Sequence, residues 1–232
     1  MTRLLAIETS SAACSAALSI DGRIEERHAL APRQHAALIL PMIESLLVEA
    51  GLAVAELDAC AFGCGPGSFT GVRIAASVIQ GIAFAAELPV VPVSTLAALA
   101  QGGMRESGQA NMLAALDARK AEVYWGVYRQ STNDRLERVG EERVCAPADI
   151  VMPDTPDWVG VGSGWAAYGD LLARQAGDRL VRVMQDLEPR ARDVATLALI
   201  DIQAGRTVTA AEAIPVYLRN RVADERRGQA RG

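Results

Sequence analysis

Along the first hundred residues the apolar positions change period in a way that spells out an order of elements. Residues 4–8 are an apolar run ending in a carboxylate, Thr9-Ser-Ser-Ala-Ala is a turn of small residues, and 14–20 returns as a second strand. Asp21-Gly22 is a strong hairpin signal, so 23–30 completes a three-stranded meander. Pro32 precedes a helix expected over 34–50, which Gly51 closes. Residues 58–62 read as a buried strand, and Gly63, Gly65, Pro66, Gly67 and Gly71 as a turn. A second helix is expected over 72–86, with Ser68 or Thr70 available to cap it. Leu88-Pro-Val-Val-Pro-Val is the next strand. Ser94-Thr95 then caps a short helix that Gly102-Gly103 is expected to end.

The pattern then repeats. Residues 111–116 form a strand that again ends in a carboxylate, Asp117, and Ala118-Arg-Lys-Ala makes the turn. Strands are expected over 122–128 and 136–144, a short helix from Pro147, a strand over 158–161, a helix over 165–175, a strand over 180–183 and a helix over 191–204. Three strands, helix, strand, helix, strand, helix thus occurs twice, with little identity between copies. The duplication predicts an α/β protein of two similar lobes, each a mixed sheet with helices, facing a cleft. The expected division is an N-terminal lobe over 1–103, a C-terminal lobe over 104–220 and a frayed polar tail over 221–232.

Two helices of the first lobe carry more apolar surface than one sheet can cover. At 100° per residue, the leucines, isoleucines and Met42 of the 34–50 helix span an arc of roughly 200°. The 72–86 helix is apolar nearly all round and rich in small residues. Leu38 and Met42, with Ile39 and Leu46, are expected to face outward beside it. Two adjacent spare faces make half of a four-helix interface, which in isolation gives a twofold homodimer. Arg73, near the glycine turn, is a polar rim contact.

Composition narrows the chemistry. Half of the 232 residues are hydrophobic, enough for a large core, yet no uninterrupted apolar run reaches the roughly 18 residues of a membrane span. The start of the chain lacks a signal-peptide layout, and Cys14, Cys60, Cys64 and Cys145 form no C-x-x-C pair, so reduced thiols in a cytoplasmic protein are expected. A net charge of −5 and a pI near 5.2 do not suit a surface that grips a nucleic-acid backbone; another subunit would hold such a ligand.

The glycine turn fails the familiar phosphate signatures. Gly71 is followed by Val72-Arg73 rather than Lys-Ser/Thr, and Gly65, Gly67 and Gly71 miss the dinucleotide spacing by one residue. Tight turning and close helix–sheet packing account for these glycines. His28 and His35 lack a second ligand at metal spacing, and no Ser/His/Asp set exists, so neither a metal site nor a catalytic group is assigned.

Ala6-Ile-Glu-Thr-Ser, Gly65-Pro-Gly-Ser-Phe-Thr-Gly-Val-Arg-Ile, Pro89-Val-Val-Pro-Val-Ser-Thr-Leu, Asp117-Ala-Arg-Lys-Ala-Glu-Val-Tyr and Pro215-Val-Tyr-Leu-Arg resemble the TsaB (YeaZ) family across essentially the whole chain. The family is the bacterial partner subunit in tRNA threonylcarbamoyladenosine synthesis, a paralogue of TsaD in the actin-like ATPase (ribonuclease H-like) superfamily. The resemblance implies a non-catalytic scaffold for a complex that modifies adenosine 37 in tRNAs reading codons that start with A. Its implied partners are a TsaD-like catalytic paralogue and a TsaE-like ATPase, with tRNA met only through the complex. The implied partner face is His35, Leu38, Ile39, Met42, Leu46, Arg73, Ile74 and Ser77. The metal pair of the paralogue falls on Thr95 and Leu99, which do not suit a metal. Nucleotide contacts, if any, fall on Glu8, Thr9, Ser10 and Ser11 and on Gly162 and Ser163; no cofactor is expected to bind tightly, and ATP or ADP with magnesium could sit at a complex interface. The paralogue's second phosphate turn is replaced by Asp117-Ala-Arg-Lys-Ala, whose bulky side chains should keep backbone N–H groups from closing on a phosphate, with Asp117 paired to Arg119 or Lys120. The competing reading is a free-standing small-molecule kinase or an inactive peptidase homologue of the same fold.

Overall fold

The computed structural model describes residues 2–132 and 135–219; the expected tail over 221–232 lies outside them. The described residues fold as two units: those up to Ala98 with 188–215, and those of 99–187 with 216–219.

In the first unit, β1 (Arg3–Glu8), β2 (Ala13–Ile20), β3 (Arg23–Leu30), β4 (Ala59–Gly65) and β5 (Val90–Ser94) form one sheet in the order β3-β2-β1-β4-β5. The meander is antiparallel, and β4 and β5 are parallel to β1. Asp21 and Gly22, with φ of 52° and 85°, make the hairpin turn that their sequence announces. The helix α1 (His35–Ala50) ends on Gly51 in left-handed conformation, and Ser68 caps α2 (Phe69–Ala85) by accepting the Gly71 N–H.

Strand alternation sends Leu4, Ala6, Ala59, Ala61, Val91 and Val93 to one face, where Val194, Ala195 and Ala198 of the helix Ala191–Gln203 cover them. Leu5, Ile7, Cys60 and Phe62 face the other side, where α1 lies on β2 and α2 on β4. Each fully buried Leu, Ile or Val contributes about 1.5–3 kcal/mol. The division at 103 with 104–220 as one lobe therefore does not describe this chain. The helix Ala191–Gln203 buries its apolar stripe on the first sheet, and its N-terminus is fixed there by the Ser15 hydroxyl accepting the Ala191 N–H at 2.9 Å.

The second unit repeats the plan. Its strands β6 (Asn111–Asp117), β7 (Val123–Gln130), β8 (Leu136–Arg138), β9 (Arg143–Cys145), β10 (Trp158–Val161) and β11 (Leu180–Met184) run in the order β11-β10-β6-β7-β8, with β9 also on β7. The single third strand expected over 136–144 is two short ones, parted at Gly140, φ 76°. A 3-10 turn, Pro147–Asp149, stands where the first unit has α1. The helix α4 (Ser163–Ala176) closes one face, with Trp125 and Trp165 ring centroids 6.3 Å apart in a core that includes Leu113, Trp158 and Leu172.

The helix α3 (Thr95–Ser107) does not stop at Gly102-Gly103. A Cβ on Gly103 would stand 2.8 Å from both the Met112 sulfur and Val161 Cγ1. Gly103 lets the helix lie close on Met112 of β6 and Val161 of β10 rather than ending it. The helix Ala191–Gln203 is α5 in chain order. Among the described residues no helix is long and apolar enough to cross a membrane.

Candidate functional site

Two helices of the first unit, α1 and α2, keep exposed apolar side chains on the faces turned from the sheet. On α1 the buried residues are His35, Ile39, Ile43, Leu46 and Leu47, spaced to face the sheet; on α2 they are Gly71, Val72, Ala75, Ala76, Ile79 and Ala83. Between the helices runs a groove of about 430 Å³ lined by Ala36, Ile39, Leu40, Phe69, Thr70, Arg73, Ile74, Ser77 and Val78. Leu40 is 55 % exposed, Phe69 60 % and Phe84, further along α2, 80 %. The Arg73 guanidinium lies 3.6 Å above the Phe69 ring, placing a charge on an apolar rim without burying it.

The residues assigned to this face from sequence divide three ways. Arg73, Ile74 and Ser77 line the groove, and Ile39 forms its floor at 1 % exposure. Leu38 and Met42 are half-buried and do not line the groove, since the helical turn sets them on the side of α1 away from Ala36 and Leu40. Leu46, at 2 %, is spent on the protein's own sheet, and His35 is buried with Nε2 3.1 Å from the Ala13 carbonyl oxygen. The cause is the phase of the helical wheel. A 200° arc fixes how much apolar surface there is but not which half meets the sheet, so Leu40, Phe69, Val78 and Phe84 were missed. The adjacency of Phe69 and Arg73 by four residues was the available signal.

The first turn is filled by its own chain. Ser10 N–H donates to the Glu8 carboxylate at 2.6 Å, Thr9 Oγ1 donates to the Gly71 carbonyl at 2.7 Å, and Ser68 N–H donates to the Ser10 carbonyl at 2.7 Å. Glu8, Thr9 and Ser10 are buried, and Ser11 is half-buried. A Cβ on Gly63 would come 1.8 Å from Glu8 Oε2, and one on Gly71 2.0 Å from the Thr9 carbonyl oxygen. These glycines exist so that two turns can interlock. Burial pushes the Glu8 carboxyl above its ordinary value, against hydrogen bonds from Ser10 and Thr95. Burial likewise raises the thiols of Cys14 to about 11 and Cys60 to about 12, so both are unreactive.

In the second unit Gly162 has φ 97° and a Cβ there would stand 2.6 Å from the Ala115 carbonyl oxygen. Ser163 Oγ accepts the Asp117 N–H at 3.2 Å. Asp117 pairs with Arg119 at 3.3 Å, as its spacing suggested. The turn beyond it nevertheless takes the backbone normally left to glycine, with φ of 60°, 57° and 58° at Arg119, Lys120 and Ala121. The last motif docks on this turn: Arg219 donates to the Ala118 carbonyl at 2.8 Å and lies 2.6 Å from the Glu122 carboxylate, while Leu218 packs with Ala118 and Val144. Among the described residues no three His, Cys, Asp or Glu side chains gather closely enough to hold a metal ion.

A five-stranded and a six-stranded sheet that share one five-strand order and direction, each opening with a meander whose first strand ends in a carboxylate, define a duplicated ribonuclease H-like fold of the actin-like ATPase type. Its first turn is shut by its own chain, and the helix pair of its first unit presents exposed apolar side chains. The family description "TsaD: tRNA N6-adenosine threonylcarbamoyltransferase" matches residues 28–226. The tRNA threonylcarbamoyladenosine biosynthesis protein TsaB of Escherichia coli is 42% identical over 224 residues, covering 95% of this chain and 96% of the relative. That of Haemophilus influenzae is 38% identical, covering 94% of each. The solved structure of YeaZ from Pseudomonas aeruginosa superposes with a TM-score of 0.87 at 45% identity, covering 94% of this chain and 100% of that one. The chain belongs to the TsaB (YeaZ) family.

Proposed function

We propose that this chain is a non-catalytic subunit of the complex that forms N6-threonylcarbamoyladenosine at position 37 of tRNAs reading codons that start with A, acting in the cytoplasm. It binds and positions a TsaD-like catalytic paralogue through the α1–α2 face and serves a TsaE-like ATPase in the same assembly. Alone, it pairs with itself through that face. The observation that carries the reading is the open groove with Leu40, Phe69 and Phe84 exposed around it, more apolar surface than a lone chain gains by showing.

The positions matching the paralogue's metal pair support a non-catalytic role. Thr95 is fully buried with its hydroxyl 3.4 Å from Glu8, and the Leu99 side chain fills the space beside Gly162. Magnesium with ATP or ADP would belong to a joint with a partner, since Glu8, Thr9 and Ser10 are engaged within their own unit. The test is reconstitution of a TsaD relative with and without this chain, measuring threonylcarbamoyl transfer to an unmodified tRNA transcript. Transfer that is stimulated by the chain supports the reading. Equal transfer without it, or ATP turnover by the purified chain alone, refutes it in favour of a free-standing kinase-like enzyme.

A further inference from the structure

Lys120 is the only lysine among the 23 basic residues of this chain. It stands at the tip of the turn between β6 and β7, flanked by Arg119 and Ala121, and all three residues are exposed. All three also hold left-handed backbone, which is unfavourable for any residue that is not glycine. The surrounding structure enforces that shape. Ala118 N–H donates to the Glu122 carbonyl at 3.0 Å, and Glu122 N–H to the Arg119 carbonyl at 3.1 Å. The Asp117 carboxylate accepts the Arg119 N–H at 2.8 Å, and the Arg219 guanidinium spans the base of the turn from the Ala118 carbonyl to the Glu122 carboxylate.

The charges are arranged unequally. Asp117 and Glu122 are each engaged by an arginine, Arg119 and Arg219, at the base of the turn. The Arg119 side chain is still 88% exposed above its partner. Among the described residues Lys120 has no ion pair, so the tip presents a net positive charge on a chain whose total is −5. An ammonium is a compact point charge with three donors, suited to a phosphate oxygen approached from any direction. A tip already fixed by its base loses little conformational entropy when it is met.

We propose that this turn is a contact for an RNA phosphate backbone, made by Lys120 with Arg119 beside it. The assignment rests on the reading that the chain serves tRNA modification, and it supplies a secondary grip to a complex whose main RNA surface lies on another subunit. The shared chemistry is phosphate, which a free nucleotide also carries, so the experiment must separate the two sources.

Reductive methylation with ¹³C-formaldehyde labels Lys120 and the amino terminus alone, giving a single side-chain NMR reporter on the full chain. An unmodified tRNA transcript, added at low salt to the labelled chain reconstituted with a TsaD relative, should shift or broaden the Lys120 signal. Added salt should reverse the effect. ATP or inorganic phosphate at the same phosphate concentration should leave the signal in place. Lys120→Ala should weaken tRNA binding about threefold and lower the salt slope by about 1, Lys120→Glu should weaken it about tenfold, and Lys120→Arg should retain most of it. Thermal melts identify any variant that fails to fold, in which case the label on the unaltered chain decides.

A signal unmoved by saturating tRNA, or unchanged binding by folded Lys120→Glu, overturns the proposal. A response to ATP or inorganic phosphate without one to tRNA overturns the RNA assignment. If the unaltered chain stimulates transfer while Lys120→Glu is indifferent, only this inference fails; if it does not stimulate transfer, the functional reading fails first.

Discussion

Leu40→Glu is the most direct perturbation of the α1–α2 face. Leu40 is 55% exposed and lines the groove, so a free chain loses little when it is replaced. Substitutions at such surface positions usually stay within about 0.5 kcal/mol. Covering the remaining half of the side chain in a joint is worth about 1 kcal/mol, which Leu40→Ala would forfeit, an effect of about fivefold in affinity. The glutamate adds a carboxylate buried without a partner, at about 3–5 kcal/mol, or more than about a hundredfold at 1.4 kcal/mol per tenfold. Sedimentation equilibrium on the free chain, and titration against a TsaD relative, measure both associations. Val48→Glu is the matched control, because Val48 is 72% exposed on the same helix but lies off the groove lining. The expected result is lost association for Leu40→Glu, retained association for Val48→Glu and unchanged melting for both. Association that survives Leu40→Glu in a folded chain removes the groove from the joint and refutes the reasoning.

Three further outcomes follow from the geometry of the first unit. Gly71→Ala should cost about 3 kcal/mol or more, since its Cβ would meet the Thr9 carbonyl at 2.0 Å, whereas Gly81→Ala, in open space on the exposed side of α2, should add about 0.5–1 kcal/mol; urea unfolding of the free chain checks both. Because the Glu8 carboxyl is raised when folded, its contribution is fully present below the ordinary carboxylate value and is lost as pH rises through the raised one. Glu8→Gln should therefore flatten the decline in stability towards alkaline pH, and an equal decline in variant and parent would show that Glu8 is not its source. Cys60 should resist a thiol reagent at pH 8 until the chain unfolds, since its thiol is pushed up to about 12 and its side chain is buried; modification faster than unfolding would contradict that burial.

Much of the fold was legible because its signals are local. Asp21-Gly22, the Gly51 stop, the Ser68 cap and the period of each strand all depend on neighbours within a few residues, and each stands where its chemistry placed it. The duplicated order followed from those elements taken together. What failed to show was long-range. Nothing local in Ala191–Gln203 says that its stripe belongs on Leu4 and Ala61 rather than on the second sheet. Gly102-Gly103 looks like a stop because close approach to Met112 and Val161 is invisible along the chain. The candidate face divides likewise: Arg73, Ile74 and Ser77 line the groove together with Leu40 and Phe69, whereas Leu46 is buried on the protein's own sheet. The left-handed run at Arg119–Ala121 goes against residue preference altogether, and one of the groups bracing its base, Arg219, lies about a hundred positions away along the chain.

The return of α5 to the first sheet also has a temporal side. A ribosome making this protein completes β1 to β5 long before it reaches Val194, Ala195 and Ala198. At about 5–20 residues per second, the roughly hundred intervening residues leave Leu4, Ala6, Ala59 and Ala61 bare for about 5–20 s. During that interval the nascent chain shows a sticky half-built sheet, an opening for chaperones or for misassembly, and a gene fragment ending near position 103 would never leave that state.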